Sequence, residues 1–313
     1  MSNPICFRRL DDELARISLT GQDRVRFLSG MVTCDVKNLS LGSGAYGALL
    51  TVKGKVVSDF IVLSRGDLGL WLLVPGAAKQ RVWEALDRYI ISDDAVLHDE
   101  SDSLAHLGVY GPGSSAFLLG DAAPLSPYHF VDKDGLCIVS CRDLGDDSFQ
   151  VLGSQDAVAA LIEKLQAAGA CPLSLAESEV RRVEVGRPKF GIDLDEDRLP
   201  QEASIEEALC FTKGCFLGQE VVVRLRDRGQ LPRKLVGLRI TGDALPPAKA
   251  KLRHASRPQA GELTSVVQSA RFGVLALGYV HRSVWDVGTQ LDVTNEHGES
   301  LGQVATVSAL PFA

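Results

Sequence analysis

A chain of 313 residues is long for a single hydrophobic core and is expected to fold as two or three packed units. Its 45% hydrophobic and 23% charged residues are ordinary for a globular protein, and nowhere do the roughly 18 consecutive apolar residues of a membrane span run together. A formal net charge of -7 opposes general attraction to a polyphosphate backbone, so neither a membrane nor a nucleic acid is an expected partner.

The N-terminal MSNPICFRRLDDELARISL lacks the charged-then-apolar order of a secretory signal, and its acidic residues disfavour a mitochondrial transit peptide. Seven cysteines (Cys6, Cys34, Cys137, Cys141, Cys171, Cys210 and Cys215) form an odd set without a C-x-x-C pair, which suits a reducing compartment. Cytoplasmic residence is the expectation.

A unit then recurs. ISLTGQDRVRFLSG carries Gly21, Phe27, Leu28 and Gly30; LGVYGPGSSAFLLG carries Gly111, Phe117, Leu118 and Gly120. Each reads as strand, turn, short helix and glycine stop, and together they predict an internal pseudo-repeat in an α+β body. Between the copies, 45–51, 55–63 and 69–74 read as strands, rich in apolar and β-branched residues. A helix over 77–90 aligns Val82, Leu86, Tyr89 and Ile90, and another over 155–168 groups Val158, Leu161, Ile162 and Leu165 before Gly169.

The run from Ser204 to Glu207 offers a capping box for a short helix. Beyond Pro232, strands at 234–240, 272–280, 289–294 and 303–307 between turn residues predict a small antiparallel β-barrel. The expected division is 1–230 for the α+β body, as two intertwined subdomains, and 231–313 for the barrel.

The segment Lys213-Gly214-Cys215-Phe216-Leu217-Gly218-Gln219-Glu220 carries the strongest chemical signal. Two glycines free the backbone on either side of Cys215, and Lys213 supplies a charge that favours a thiolate. The competing reading is a buried, inert cysteine. A basic run follows, with Arg224, Arg226 and Arg228, read as a loop suited to anionic carboxylates, to solvent or to docking another protein. Asp59 lies within the apolar VVSDFIV, where an unpaired carboxylate is costly, so it is expected to have a partner or to face solvent. Glu184, in RVEVGRPKFG, is able to accept two parallel hydrogen bonds from an aminopyrimidine edge, or is a solvated side chain beside Arg181 and Arg182.

K-G-C-F-L-G-Q-E, together with GQDRVRFLSG, LLTVKGKVVSD and RVEVGRPKFG, resembles the YgfZ branch of the glycine-cleavage T-protein (aminomethyltransferase) superfamily, over most of the first 240 residues. The resemblance implies a T-protein-like folate-binding fold with tetrahydrofolate as cofactor. It implies Glu184 for the folate ring, Asp59 beside the reactive nitrogens, Lys213, Gly214 and Arg224 as further cofactor contacts, and Cys215 with Asp59 as catalytic groups. The function it implies is assembly or repair of iron-sulfur proteins, with those proteins or their assembly factors as partners. The alternative is a folate-dependent aminomethyltransferase or demethylase. Ser58 departs from the transferase pattern, which is often acidic there.

Walker-A, G-x-G-x-x-G, H-E-x-x-H and G-x-S-x-G patterns are missing from the sequence, and six histidines show no ligand spacing. No resident metal is expected. Cys137 and Cys141 share one strand face and read as packing residues.

Overall fold

The computed structural model describes residues 5–145 and 147–313, the Arg228 side chain excepted. Two compact units result. One runs to Ser174 and adds Glu207–Gln219; the other comprises Leu175–Glu206 and Glu220–Ala313.

The first unit opens with β1 (Cys6–Arg9) and then builds one pattern twice. The first copy is β2 (Leu14–Thr20), α1 (Arg24–Met31), β3 (Gly44–Leu50), β4 (Val56–Ser64), β5 (Leu70–Pro75), α2 (Lys79–Asp87) and β6 (Val96–Asp99). The second is β7 (Ala105–Tyr110), α3 (Ser114–Leu119), β8 (Phe130–Lys133), β9 (Leu136–Cys141), β10 (Ser148–Gly153), α4 (Gln155–Ala167) and β11 (Cys171–Pro172). Their sheets run β3-β4-β5-β2-β6 and β8-β9-β10-β7-β1-β11, the same order with β1 inserted beside β7. The recurrence predicted from four positions is thus the visible part of a duplicated sheet.

Gly21 and Gly111 open the two helices from matching left-handed conformations, with φ of 100° and 102°, which glycine adopts without strain. Gly120 ends α3 as expected, whereas Gly30 lies inside α1. The helix predicted over 77–90 contracts to α2: Val82 and Leu86 are buried, but Tyr89 lies beyond its end and is exposed. Ser154 starts α4 by accepting the Ala157 amide, a side-chain N-cap. Apolar residues of β7, β9, β10 and α4, among them Leu107, Val109, Ile138, Val151, Val158 and Leu165, close the core of the second sheet.

The second unit contains α5 (Leu175–Val185), most of α6 (Gln219–Arg228), and β12 (Arg233–Ile240), β13 (Lys251–His254), β14 (Arg257–Ser269), β15 (Gly273–His281), β16 (Gln290–Thr294) and β17 (Ser300–Ser308). These six strands close as an antiparallel barrel in the order β12-β15-β14-β13-β16-β17, around Val236, Leu238, Val274, Ala276, Leu291, Val293 and Ala305. The α+β body and the small C-terminal antiparallel barrel are as expected.

Two barrel strands, β13 and β14, escape sequence reading. In β14 Pro258 and Gly261 interrupt the run, and a register shift between Leu263 and Ser265 breaks the alternation that marks a strand. The predicted capping box does not form. Ser204 takes φ 57° and donates to the Leu235 carbonyl, and only a single 3-10 turn, Glu206–Ala208, stands where the helix was expected. Among the described residues no helix is long and apolar enough to cross a membrane.

Candidate functional site

Asp59 lies on β4, whose apolar residues bury it to 9% exposure. Across the β3–β4 ladder it faces Ala48, and Tyr46, two residues along β3 on the same face, donates its hydroxyl to Asp59 Oδ2 at 2.7 Å. A buried carboxylate held by a hydroxyl keeps a fixed place and direction. The Tyr46 ring stacks on Tyr128 at a centroid separation of 5.9 Å, and the Tyr128 hydroxyl donates to Glu207 Oε1 at 2.9 Å. Tyr128 holds φ 65°, an uncommon conformation for a bulky residue. Ser58, fully buried, donates to the Asp59 carbonyl.

Sequence reading missed Tyr46, Tyr128 and Glu207. Tyr46 was out of reach as well, because a register shift between Leu49 and Leu50 stands between the β3–β4 turn and the pairing that puts it diagonal to Asp59. Tyr128 and Glu207 are brought in by the fold from 82 and 161 residues beyond Tyr46, and no local pattern announces them.

The cysteine-bearing segment is pinned to the end of α1. The Cys210 amide donates to Thr33 O at 3.0 Å and the Leu217 amide to Gly30 O at 3.0 Å. Between them Lys213 Nζ donates to Ser29 O, Val32 O and Cys34 O at 2.7, 2.6 and 2.7 Å. An ammonium has three donors, and these three carbonyls use them all. Burial is the largest influence on Lys213 and lowers its pKa, against Cys34, Asp35 and Cys210, which raise it. The three donors of Lys213, expected to favour the thiolate and to contact a cofactor, are engaged by main chain.

Cys215 itself is exposed. The two flanking glycines differ. Gly218 has φ 80°, and a Cβ there would stand 2.5 Å from Thr51 O; around Gly214 no atom lies within 4 Å of a Cβ position. The glycine requirement at 218 is thus set by the protein's own β3–β4 turn. Cys210 is half-buried; burial raises its pKa, but the Thr212 hydroxyl and the amides of Thr212 and Lys213 outweigh it and bring the thiol below its ordinary value. Cys34 is buried, and desolvation pushes its thiol up to about 12. Cys137 and Cys141 are buried on β9, as packing residues are.

In the second unit, Glu184 stands near the end of α5, half-buried, with Oε1 accepting the Ser269 hydroxyl at 2.6 Å. Ser269 in turn accepts the amides of Arg271 and Phe272, so the serine that orients Glu184 is itself fixed. Arg182 turns away to Asp193 and Ser265, both at 2.8 Å. The basic run is not a loop: Arg224 and Arg226 sit on α6, Arg224 paired at 2.6 Å with Glu220 one turn before it and Arg226 with Asp227, all four solvent-exposed. The Arg228 side chain lies outside the described residues. A cleft of about 800 Å³ opens on the barrel unit, lined by Arg233, Lys251, Arg253, Glu262 and His281 among others; neither Glu184 nor Arg224 lines it. Among the described residues no three His, Cys, Asp or Glu side chains are grouped to hold a metal ion.

The first unit and the barrel have counterparts in known proteins. The model of the GCVT N-terminal domain matches residues 12–213, and that of the glycine cleavage T-protein C-terminal barrel domain matches residues 233–313. An aminomethyltransferase from Rubrobacter xylanophilus is 30% identical over 282 residues, covering 85% of this chain and 74% of that protein. One from Chloroherpeton thalassium is 28% identical over 314 residues, covering 96% and 85%. The crystal structure of glycine cleavage system aminomethyltransferase T from Bartonella henselae shares the fold, with a TM-score of 0.87 at 22% identity over 100% of this chain and 87% of that one. Matched over both of its parts, the chain belongs to the glycine-cleavage T-protein superfamily.

Proposed function

We propose that the protein binds a reduced folate and carries out one-carbon chemistry of the aminomethyltransferase kind, with Asp59 as its central charged group. The observation that carries this reading is the buried Asp59 carboxylate, anchored on one oxygen by Tyr46. Similarity to the curated aminomethyltransferases, over 74–85% of their length in the two described, supports it. The donor set fits a folate. A carboxylate accepts well from the ring N–H and amine of a pterin, the part assigned to Glu184, whose Oε1 is already directed by Ser269. Tetrahydrofolate supplies the nitrogens that carry a one-carbon unit.

Asp59 acts as a preorganised negative charge. It sits in a water-poor strand environment, where it stabilises positive charge developing on a nitrogen more than it would in water. Tyr46 fixes its orientation, and the ring of Tyr128 buttresses Tyr46.

A second reading has its own observation. Cys215 is exposed on a segment held at three points, a feature that aminomethyl transfer leaves unused. In the YgfZ-like reading this thiol serves the assembly or repair of iron-sulfur proteins in the cytoplasm, with folate bound alongside.

One experiment separates them. The purified chain is assayed for methylene-tetrahydrofolate formation from aminomethyl donors, and cells lacking it are assayed for iron-sulfur enzyme activity after resupply with wild type, Asp59→Asn or Cys215→Ala. The first reading expects turnover that Asp59→Asn abolishes and Cys215→Ala spares. No turnover with any donor, and rescue lost only with Cys215→Ala, overturns it in favour of the second.

A further inference from the structure

We propose that Lys213 is a positioning residue, a clasp whose ammonium caps the C-terminal end of α1 and thereby fixes where the Cys215 thiol stands. The proposal rests on the reading of Cys215 as part of a functional site, and its geometry is independent of which chemistry that site performs.

The last carbonyls of a helix have no partner within it, and that end carries partial negative charge. In α1, Val32 closes the helix by donating to Leu28 O, while Ser29 O, Val32 O and Cys34 O converge on Lys213 Nζ from 2.6 to 2.7 Å. Nζ also lies 5.5 Å from the centroid of the Phe216 ring, a residue of the same segment that is itself buried. The cation therefore bonds to one part of the chain and stacks with the other.

Its place along the segment matters. Two main-chain bonds, Cys210 to Thr33 and Leu217 to Gly30, hold the ends of an eight-residue stretch of irregular backbone. Lys213 fastens its middle, two residues before Cys215. Lys213 thus adds a tie between the two end bonds, and Gly214 adds backbone freedom at the residue beside the thiol. A lysine in such a motif is ordinarily read as the activator of the thiol. Here the Lys213 ammonium is directed at the carbonyls of Ser29, Val32 and Cys34.

The test uses the full chain with Lys213→Met, reading amide hydrogen exchange across 210–217 and the pH profile of Cys215 alkylation by iodoacetamide. The clasp predicts exchange faster by about tenfold or more in that stretch, unchanged exchange in β7 and β10, and an unmoved midpoint of the alkylation profile. A raised midpoint with unchanged exchange overturns the proposal and makes Lys213 a thiol activator. If Lys213→Met does not fold, Lys213→Arg decides: it keeps the charge, but its planar fork does not match three carbonyls converging on one point. Faster exchange in that variant supports the clasp; wild-type exchange overturns it. Neither readout involves folate or an iron-sulfur client, so failure here leaves the functional reading standing.

Discussion

Tyr46 and Asp59 meet diagonally across the β3–β4 ladder, hydroxyl to carboxylate at 2.7 Å, in a part of the sheet where both are nearly out of reach of water. A hydrogen bond to an ionised group contributes about 1.5–3 kcal/mol. Tyr46→Phe keeps the ring that stacks on Tyr128 and removes the hydroxyl that makes this bond. Folate-dependent turnover is expected to fall about tenfold to a hundredfold, following that free energy, while the fold persists. Steady-state kinetics beside a thermal melt check this; unchanged kcat/KM would remove the orienting role of Tyr46.

Gly214 and Gly218 flank the same cysteine and are expected to respond oppositely to alanine. At Gly218 the left-handed φ and the 2.5 Å approach to Thr51 O both resist a Cβ, so Gly218→Ala should destabilise by about 2 kcal/mol or more and loosen the segment. Gly214→Ala, with open space around it, should lie within about 0.5 kcal/mol of wild type. Urea denaturation of the two variants gives the comparison directly.

These contrasts mark what was legible in the sequence. The duplicated body was announced by glycines and Phe-Leu pairs, because turn conformation and helix packing impose residue types at fixed offsets. Four barrel strands were visible through their apolar, β-branched runs, and β14 was hidden because its bulge and Pro258 destroy the alternation. Motif residues were findable, but not their partners. That Lys213 would bind the carbonyls of Ser29, Val32 and Cys34 depends on a contact spanning roughly 180 residues of chain, and no local spacing encodes it. The helical state of the basic run was likewise obscured by its charges, which on α6 become a solvated face paired at i,i+4.

Thiol reactivity should sort the seven cysteines by burial. Brief iodoacetamide treatment of the native chain at pH 7.5 or so is expected to label Cys171, Cys210 and Cys215 and to spare Cys6, Cys34, Cys137 and Cys141. Burial pushes Cys34 and Cys137 up to about 12, so neither offers a thiolate at neutral pH. Cys210, with two amides and a hydroxyl directed at its sulfur, should be modified faster than Cys171. Peptide mass spectrometry over a time course measures the order; early labelling of Cys34 would contradict its buried placement.

His106 makes the stability of the first unit depend on pH. It is fully buried on β7, with Nε2 3.0 Å from Gln150 Oε1 and its amide bonded to Asp11, and burial, reinforced by the nearby Arg16, pushes its pKa down to about 3. The unfolded chain takes up this proton near pH 6.5, whereas the folded chain refuses it until about pH 3. Between those values the unfolded state binds more protons, so stability is fully present above about pH 6.5 and declines as pH falls, by up to about 1.4 kcal/mol per pH unit from this group. His106→Gln keeps an amide donor for Gln150 and removes the titration. Its urea midpoint is therefore expected to fall less steeply than that of wild type from pH 6.5 to 4, whatever its absolute stability. Parallel slopes for the two proteins would show that His106 does not carry the acid sensitivity.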